Sequence, residues 1–269
     1  MRDRFVRRMT LATLHLDPTA KMLSRRHYVV DPPVAVGVYR HRNVKHILPF
    51  VAQAEELRGE VRLWALDRTH PELAQWTLGS GPGGRFQHIN RLLAEHHSGP
   101  VVVFDDDVAF SEGGLRQLLG LIDIYGFDLA QPAHGPGSAH TYNFNRRRPL
   151  TAARETNFVE IGPIFVVAAK AVDRFLPFPE IGLMGFGTEA SWYRHHLAGA
   201  RLGIIDGTEI VHQGAVSEDY SDVVEAERAT NLAAVHDLGF RSWHDLQRCI
   251  KTHRVWQHVN YVRTGRRAN

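Results

Sequence analysis

The chain has 269 residues, 43% of them hydrophobic, enough to bury a sizeable core in a single domain. No apolar run approaches the roughly 20 residues of a membrane span, and the arginine-rich start (Arg2, Arg4, Arg7, Arg8) leads into no signal-peptide core. Net charge is +3, and residues 1–30 alone carry seven basic against two acidic side chains, so the remainder sums to −2. A basic excess confined to the ends does not make a nucleic-acid surface. It suits a solvated arm, or a peripheral contact with anionic lipid or a phosphorylated acceptor. The single cysteine, Cys249, excludes an intramolecular disulfide, fits a reducing, cytoplasmic setting, and reads as a small apolar side chain on a helix.

Residues 1–33 form the basic arm, closed by Asp31-Pro32-Pro33. A strand is expected over Val34–Tyr39, then a helix over 43–58 and a strand over Val61–Leu66 that ends at Asp67. Pro71 opens a short helix through Leu78. A glycine-rich loop (79–84) precedes a helix over 85–97. Strand 101–104 is followed by helix 112–125 and a strand around Leu129. This alternation implies parallel βαβ units with helices on both faces of the sheet. Residues 133–157 read as a long irregular connection. A strand then spans Phe158–Val167, and a helix follows at 168–175. The loop Gly182–Gly187 feeds helix 188–198, and short strands are expected at 202–205 and 209–212. The last 55 or so residues read as mainly helical. The expectation is an α/β fold: one domain over 34–214, its mostly parallel central sheet flanked by helices, with a helical extension over 215–269 packing on it.

The most informative stretch is Val101-Val102-Val103-Phe104-Asp105-Asp106-Asp107. Four apolar residues make a buried strand, and three carboxylates follow at its end, where like charges repel and need a cation or solvent. Asp105 and Asp107 fall on one side of an extended chain and Asp106 on the other. Two same-side carboxylates at the carboxyl end of a sheet suit a hard divalent metal and its phosphate ligand. A solvated strand end is the competing reading.

With its neighbours in order, this stretch resembles the GT-A fold of nucleotide-sugar-dependent glycosyltransferases over roughly residues 34–214. The matching features are Val38-Tyr39-Arg40-His41-Arg42 at the end of the first strand, Asp67 at the end of the second, Gly84-Arg85 through Asn90, the aspartate triplet, Gly185-Phe186-Gly187-Thr188-Glu189, and Ile210-Val211-His212. A closer likeness is to a little-characterised group of GT-A-like proteins with an aspartate triplet, Val159-Glu160-Ile161 before a proline, Phe186-Gly187, and Ile210-Val211-His212-Gln213-Gly214. The resemblance implies a metal-dependent transferase that moves a sugar from a nucleotide-diphosphate sugar, a UDP-sugar first among them, to a hydroxyl of a glycan, lipid-linked or small-molecule acceptor.

Under it, Asp107 and His212 are the Mn²⁺ or Mg²⁺ ligands, with the imidazole favouring Mn²⁺. Asp105 is a ribose contact or a ligand through water, and Asp106 supports the other two. Arg85 takes the pyrophosphate, Tyr39, Arg40 and Asp67 meet the base or ribose, and Asn90 hydrogen-bonds the donor. Glu189, at a helix N-terminus, is the candidate base, and displacement with it would invert the anomeric centre. Thr188-Glu189-Ala190 departs from the Glu-Asp pair that many such enzymes place there, which leaves open a non-catalytic nucleotide- or glycan-binding module. Glu160, a carboxylate in an apolar strand, needs a sugar or arginine partner, or exposure at an edge. A haloacid-dehalogenase-type phosphatase fits less well, with Ala109 where it wants Thr or Val. So does a nucleotidyltransferase, whose glycine-rich loop after the first strand is missing at Tyr39–Asn43.

Overall fold

The computed structural model describes Leu23 and residues 28–95, 98–213 and 221–257. Most of the basic arm and the arginines of the tail lie outside these residues, as does Gly214. The elements are β1 (Val34–Tyr39), α1 (Val44–Glu56), β2 (Glu60–Ala65), β3 (Thr77–Ser80), α2 (Arg85–Leu92), β4 (Val101–Phe104), β5 (Val108–Glu112), α3 (Leu115–Tyr125), β6 (Leu129–His134), β7 (Thr151–Thr156), β8 (Ile164–Val167), α4 (Val172–Phe175), α5 (Thr188–Leu197), β9 (Leu202–His212), α6 (Ser221–His236), α7 (Trp243–Leu246) and β10 (Cys249–Arg254).

All the described strands join one sheet in the order β10-β7-β9-β6-β8-β4-β1-β2-β3, with β5 paired to the end of β9. β1, β2, β3, β4, β6, β9 and β10 point one way, and β5, β7 and β8 run against them. The sheet is therefore mostly parallel in strand direction, and helices cover both faces. Period-two alternation divides the core: Val102 and Phe104 pack with α1 and α3 on one face, and Val101 and Val103 pack with Phe86, Phe175 and Trp192 of α2, α4 and α5 on the other. β1 has β2 on one side and β4 on the other. The chain changes direction of winding there, which sets a topological switch point at the strands' carboxyl ends.

Several elements differ from expectation. The segment after Pro71 is a 3₁₀ turn (Pro71–Trp76) followed by strand β3. The expected strand 158–167 shortens to β8, and the irregular connection contains β7. The two short strands near 202–212 are one irregular strand, β9, whose pairing with β6 shifts register between Pro132 and Ala133. The segment beyond β9 is helical through α6 and α7, then returns as the edge strand β10, so Cys249 sits part-exposed on a strand rather than on a helix.

A candidate functional site at the strand ends

The aspartate triplet leaves β4 at its carboxyl end, and the three side chains part. Asp105 points at α2: its Oδ1 lies 2.7 Å from Nη2 of Arg85, and its own N–H donates to the Pro163 carbonyl at 2.8 Å. Asp106 turns toward β1 and accepts the Arg40 N–H at 2.6 Å. Asp107 meets the far end of β9, with Oδ1 3.0 Å from Nε2 of His212. That meeting follows from β5, which doubles back antiparallel to β9 and sets Val108 opposite His212.

The charges follow these contacts. Burial raises the carboxyl of Asp105, with Asp107 adding to it and Arg85 opposing. Burial pushes Asp106 up to about 6 against the Arg40 N–H. For Asp107 burial also acts upward, but the His212 imidazole outweighs it and holds the carboxyl below its usual range. Burial would lower His212, and the bond to Asp107 reverses this, so the imidazole stays charged to higher pH than usual.

Arg85 is buried at the first position of α2, whose N-terminus is fixed where Arg85 N–H donates to the Leu183 carbonyl. Its Nη1 donates to the Ile161 carbonyl at 2.7 Å, while Nε is buried without a hydrogen-bond partner. An unsatisfied guanidinium N–H beside the triplet suits an anion. Glu189 begins α5 behind Arg85 and accepts N–H groups from Gly187 (3.2 Å) and Ile161. Burial pushes it up to about 7 against those donors and Arg85. Glu160 lies one residue before Ile161. Burial and the nearby Glu189 charge push it up to about 8, against bonds from Thr141 and Asn145.

The structure thus brings Arg85, Asp105, Asp107, Glu189 and His212 into one neighbourhood. Arg40 and Asp67 stand at the adjoining ends of β1 and β2, where Asp67 accepts the His41 N–H at 3.0 Å. Burial acts upward on Asp67, yet the Arg68 and His41 N–H groups outweigh it and lower the carboxyl. Two expected site residues are engaged elsewhere. Tyr39 is fully buried, its hydroxyl 3.0 Å from Thr77 Oγ1 and accepting the His70 N–H, because its place in β1 turns it inward under α1. Asn90 uses both ends of its amide on the Phe178 backbone, so it braces the loop after α4.

Sequence reasoning did not find the polar support from residues 134–145. Ser138 Oγ accepts the His212 N–H at 2.9 Å and pairs with His134 Nδ1 at 2.8 Å, fixing where β9 ends. His134 closes β6 as Asp67 and His212 follow or close theirs, and that recurring polar strand end was the available signal.

Among the described residues no group of three or more His, Cys, Asp or Glu side chains is arranged to hold a metal ion. Asp107 and His212 supply one oxygen and one nitrogen side by side. Carboxylate oxygen and imidazole nitrogen are donors of the kind a divalent cation accepts.

These observations describe a candidate polar site at the sheet end of a mixed α/β protein. No family model and no curated protein matches the chain. Solved structures similar to it include GalNAc-T7 with UDP, GalNAc and Mn²⁺ (11% identity, TM-score 0.49, 80% of this chain and 54% of that one). They also include S. aureus TarS 1–349 in complex with UDP-GlcNAc (13% identity, TM-score 0.48, 78% and 72%). Both are GT-A glycosyltransferases. The chain spans about half the length of the GalNAc-T7 structure.

Proposed function

We propose that the protein is a metal-dependent glycosyltransferase that moves a sugar from a nucleotide-diphosphate donor to an acceptor hydroxyl. The observation that carries this reading is the division of the triplet: one strand end sends Asp105 to Arg85, Asp106 to the end of β1, and Asp107 to His212. In it, Asp107 and His212 hold Mn²⁺ or Mg²⁺, which when bound neutralises charge that develops on the diphosphate leaving group. The free Nε of Arg85 takes a phosphate oxygen. Asp105 meets the ribose or reaches the cation through water. Arg40 and Asp67 form the wall for the base, with uracil first among the candidates.

Glu189 accepts the proton of the acceptor hydroxyl, which then attacks in line and inverts the anomeric carbon. Glu189 is 5% exposed and already held by backbone N–H groups. That favours a second reading, a module that binds nucleotide or glycan without turnover. The acceptor is a glycan, a lipid-linked sugar or a small molecule, and the setting is cytoplasmic, peripheral to the inner face of a membrane.

A thermal-shift panel of nucleotide sugars with and without Mn²⁺ tests the proposal. One donor should raise the midpoint by mass action, and more so with metal. Asp107→Ala should lose the metal-dependent part while keeping the ligand-free midpoint within a few degrees. No shift with any donor and metal would sink the transferase reading. A donor shift without release of nucleoside diphosphate, across many acceptors, would select the binding module.

A further inference from the structure

The protein's second surface lies where β7 begins and β10 ends. Leu150 stands exposed (45%) with φ of 55°, a left-handed conformation that a leucine adopts only under strain. Its carbonyl accepts the Val255 N–H, which brings the next residue, Trp256, exposed at 57%, beside it. The Arg254 guanidinium lies 5.9 Å from the Trp256 ring and donates to Thr151 Oγ1. Arg148, also exposed, lies over Phe144 two residues before Leu150, its N–H bonded to Asp206. An indole and a strained leucine held outward and flanked by arginines is the composition of a membrane-interface anchor.

Where the chain ends run decides the occupant. The described chain stops at Gln257, one residue past Trp256, and the sequence beyond it carries Arg263, Arg266 and Arg267. At the other end, Leu23 packs against Gly207, within reach of the Ala152 carbonyl on β7. The sequence before it carries Arg2, Arg4, Arg7, Arg8 and Lys21. Both basic segments therefore join the fold beside this patch. Because β10 points the same way as β4, the patch lies toward the edge of the sheet that carries the triplet.

We propose that Leu150 and Trp256, flanked by Arg148 and Arg254, dock the protein on an anionic lipid surface. The apolar pair enters the headgroup layer, and the basic segments add a salt-sensitive attraction. The proposal gives the peripheral setting suggested above a definite surface. Its test reads lipid binding alone, so its failure and that of the transferase reading are separate results.

The full chain is sedimented with vesicles of phosphatidylcholine alone and of phosphatidylcholine with an equal part of phosphatidylglycerol. The wild type should bind the anionic vesicles and lose binding as salt rises. A double variant, Leu150→Asn with Trp256→Ser, should bind them about tenfold more weakly at an unchanged melting midpoint, since asparagine tolerates the left-handed backbone. Three results would overturn the proposal: no wild-type binding to the anionic vesicles, equal binding by the double variant, or a wild-type dimer in solution that the double variant dissolves. The second would leave any attraction to the basic segments, and the third would assign the patch to a second copy of the chain.

Discussion

Glu189, the proposed base, gives the sharpest test at a single residue. A carboxyl pushed up to about 7 is half protonated near neutrality, so a base role makes the rate depend on pH in a definite direction. Below about 7 the acid form cannot take a proton, and above it the carboxylate can. Turnover should therefore rise with pH through about 7 and level off. Glu189→Gln should lower kcat by about 10²–10⁴-fold and abolish that rise while the donor-induced thermal shift remains. A Gln variant with wild-type turnover would remove Glu189 from the chemistry. Glu160→Gln, in the same assay, identifies the neighbour if the base is there instead.

Residues 106 and 107 leave the strand in a turn, where period-two alternation no longer holds, so only the meeting of the apolar run with the triplet was readable in advance. The destinations of Tyr39 and Asn90 were not. A tyrosine at a strand end turns inward or outward according to the register of the whole strand. An asparagine on a helix finds its partner, Phe178, 88 residues away.

At the scale of elements, two glycine-bearing loops meet and carry Arg85 and Glu189 between them. A side chain at Gly84 would come within 2.9 Å of the Gly182 carbonyl, and one at Gly185 within 2.2 Å of the Phe86 ring. Gly185 also has φ of 87°, and its carbonyl accepts both the N–H and the hydroxyl of Thr188. The loop is held from outside by Glu227 of α6, whose carboxylate accepts the N–H groups of Leu183 and Met184. Gly185→Ala should cost about 1–3 kcal/mol and reduce turnover by more than the lost stability explains, because the start of α5 must move with it. Urea denaturation beside steady-state kinetics checks this, and an alanine variant of unchanged stability would contradict the packing.

The parallel units were apparent in sequence because β1 and β4 are near-continuous apolar runs. β7, Thr151-Ala-Ala-Arg-Glu-Thr, and β10, Cys-Ile-Lys-Thr-His-Arg, carry no such signal. Their pairing depends on partners far along the chain, which local patterning does not encode.

Across the whole molecule, one buried ion pair fastens the edge half of the sheet to the loop that supports the site. Arg154 of β7 and Asp206 of β9 are fully buried, with Nε 2.7 Å from Oδ2 and Nη2 3.1 Å from Oδ1. The guanidinium also donates to the Phe144 and Arg146 carbonyls, and Asp206 accepts the Arg148 N–H. This satisfied pair therefore fixes residues 144–148, which hold Asn145 against Glu160 and lead into the exposed Leu150. A buried pair of this kind contributes little over a well-packed apolar replacement, yet removing one partner strands the other charge. Asp206→Ala should cost about 3–5 kcal/mol, which for a chain of this size lowers the melting midpoint by roughly 10 °C. The paired change Arg154→Met with Asp206→Leu should recover most of that loss, because no unpaired charge is left inside. A calorimetric double-mutant cycle decides the matter. If the single variant melts with the wild type, the pair does not tie the β7–β9 edge to the site. If the paired variant recovers the midpoint but not donor binding, the ties from Arg154 to 144–146 and from Asp206 to Arg148 serve the site directly.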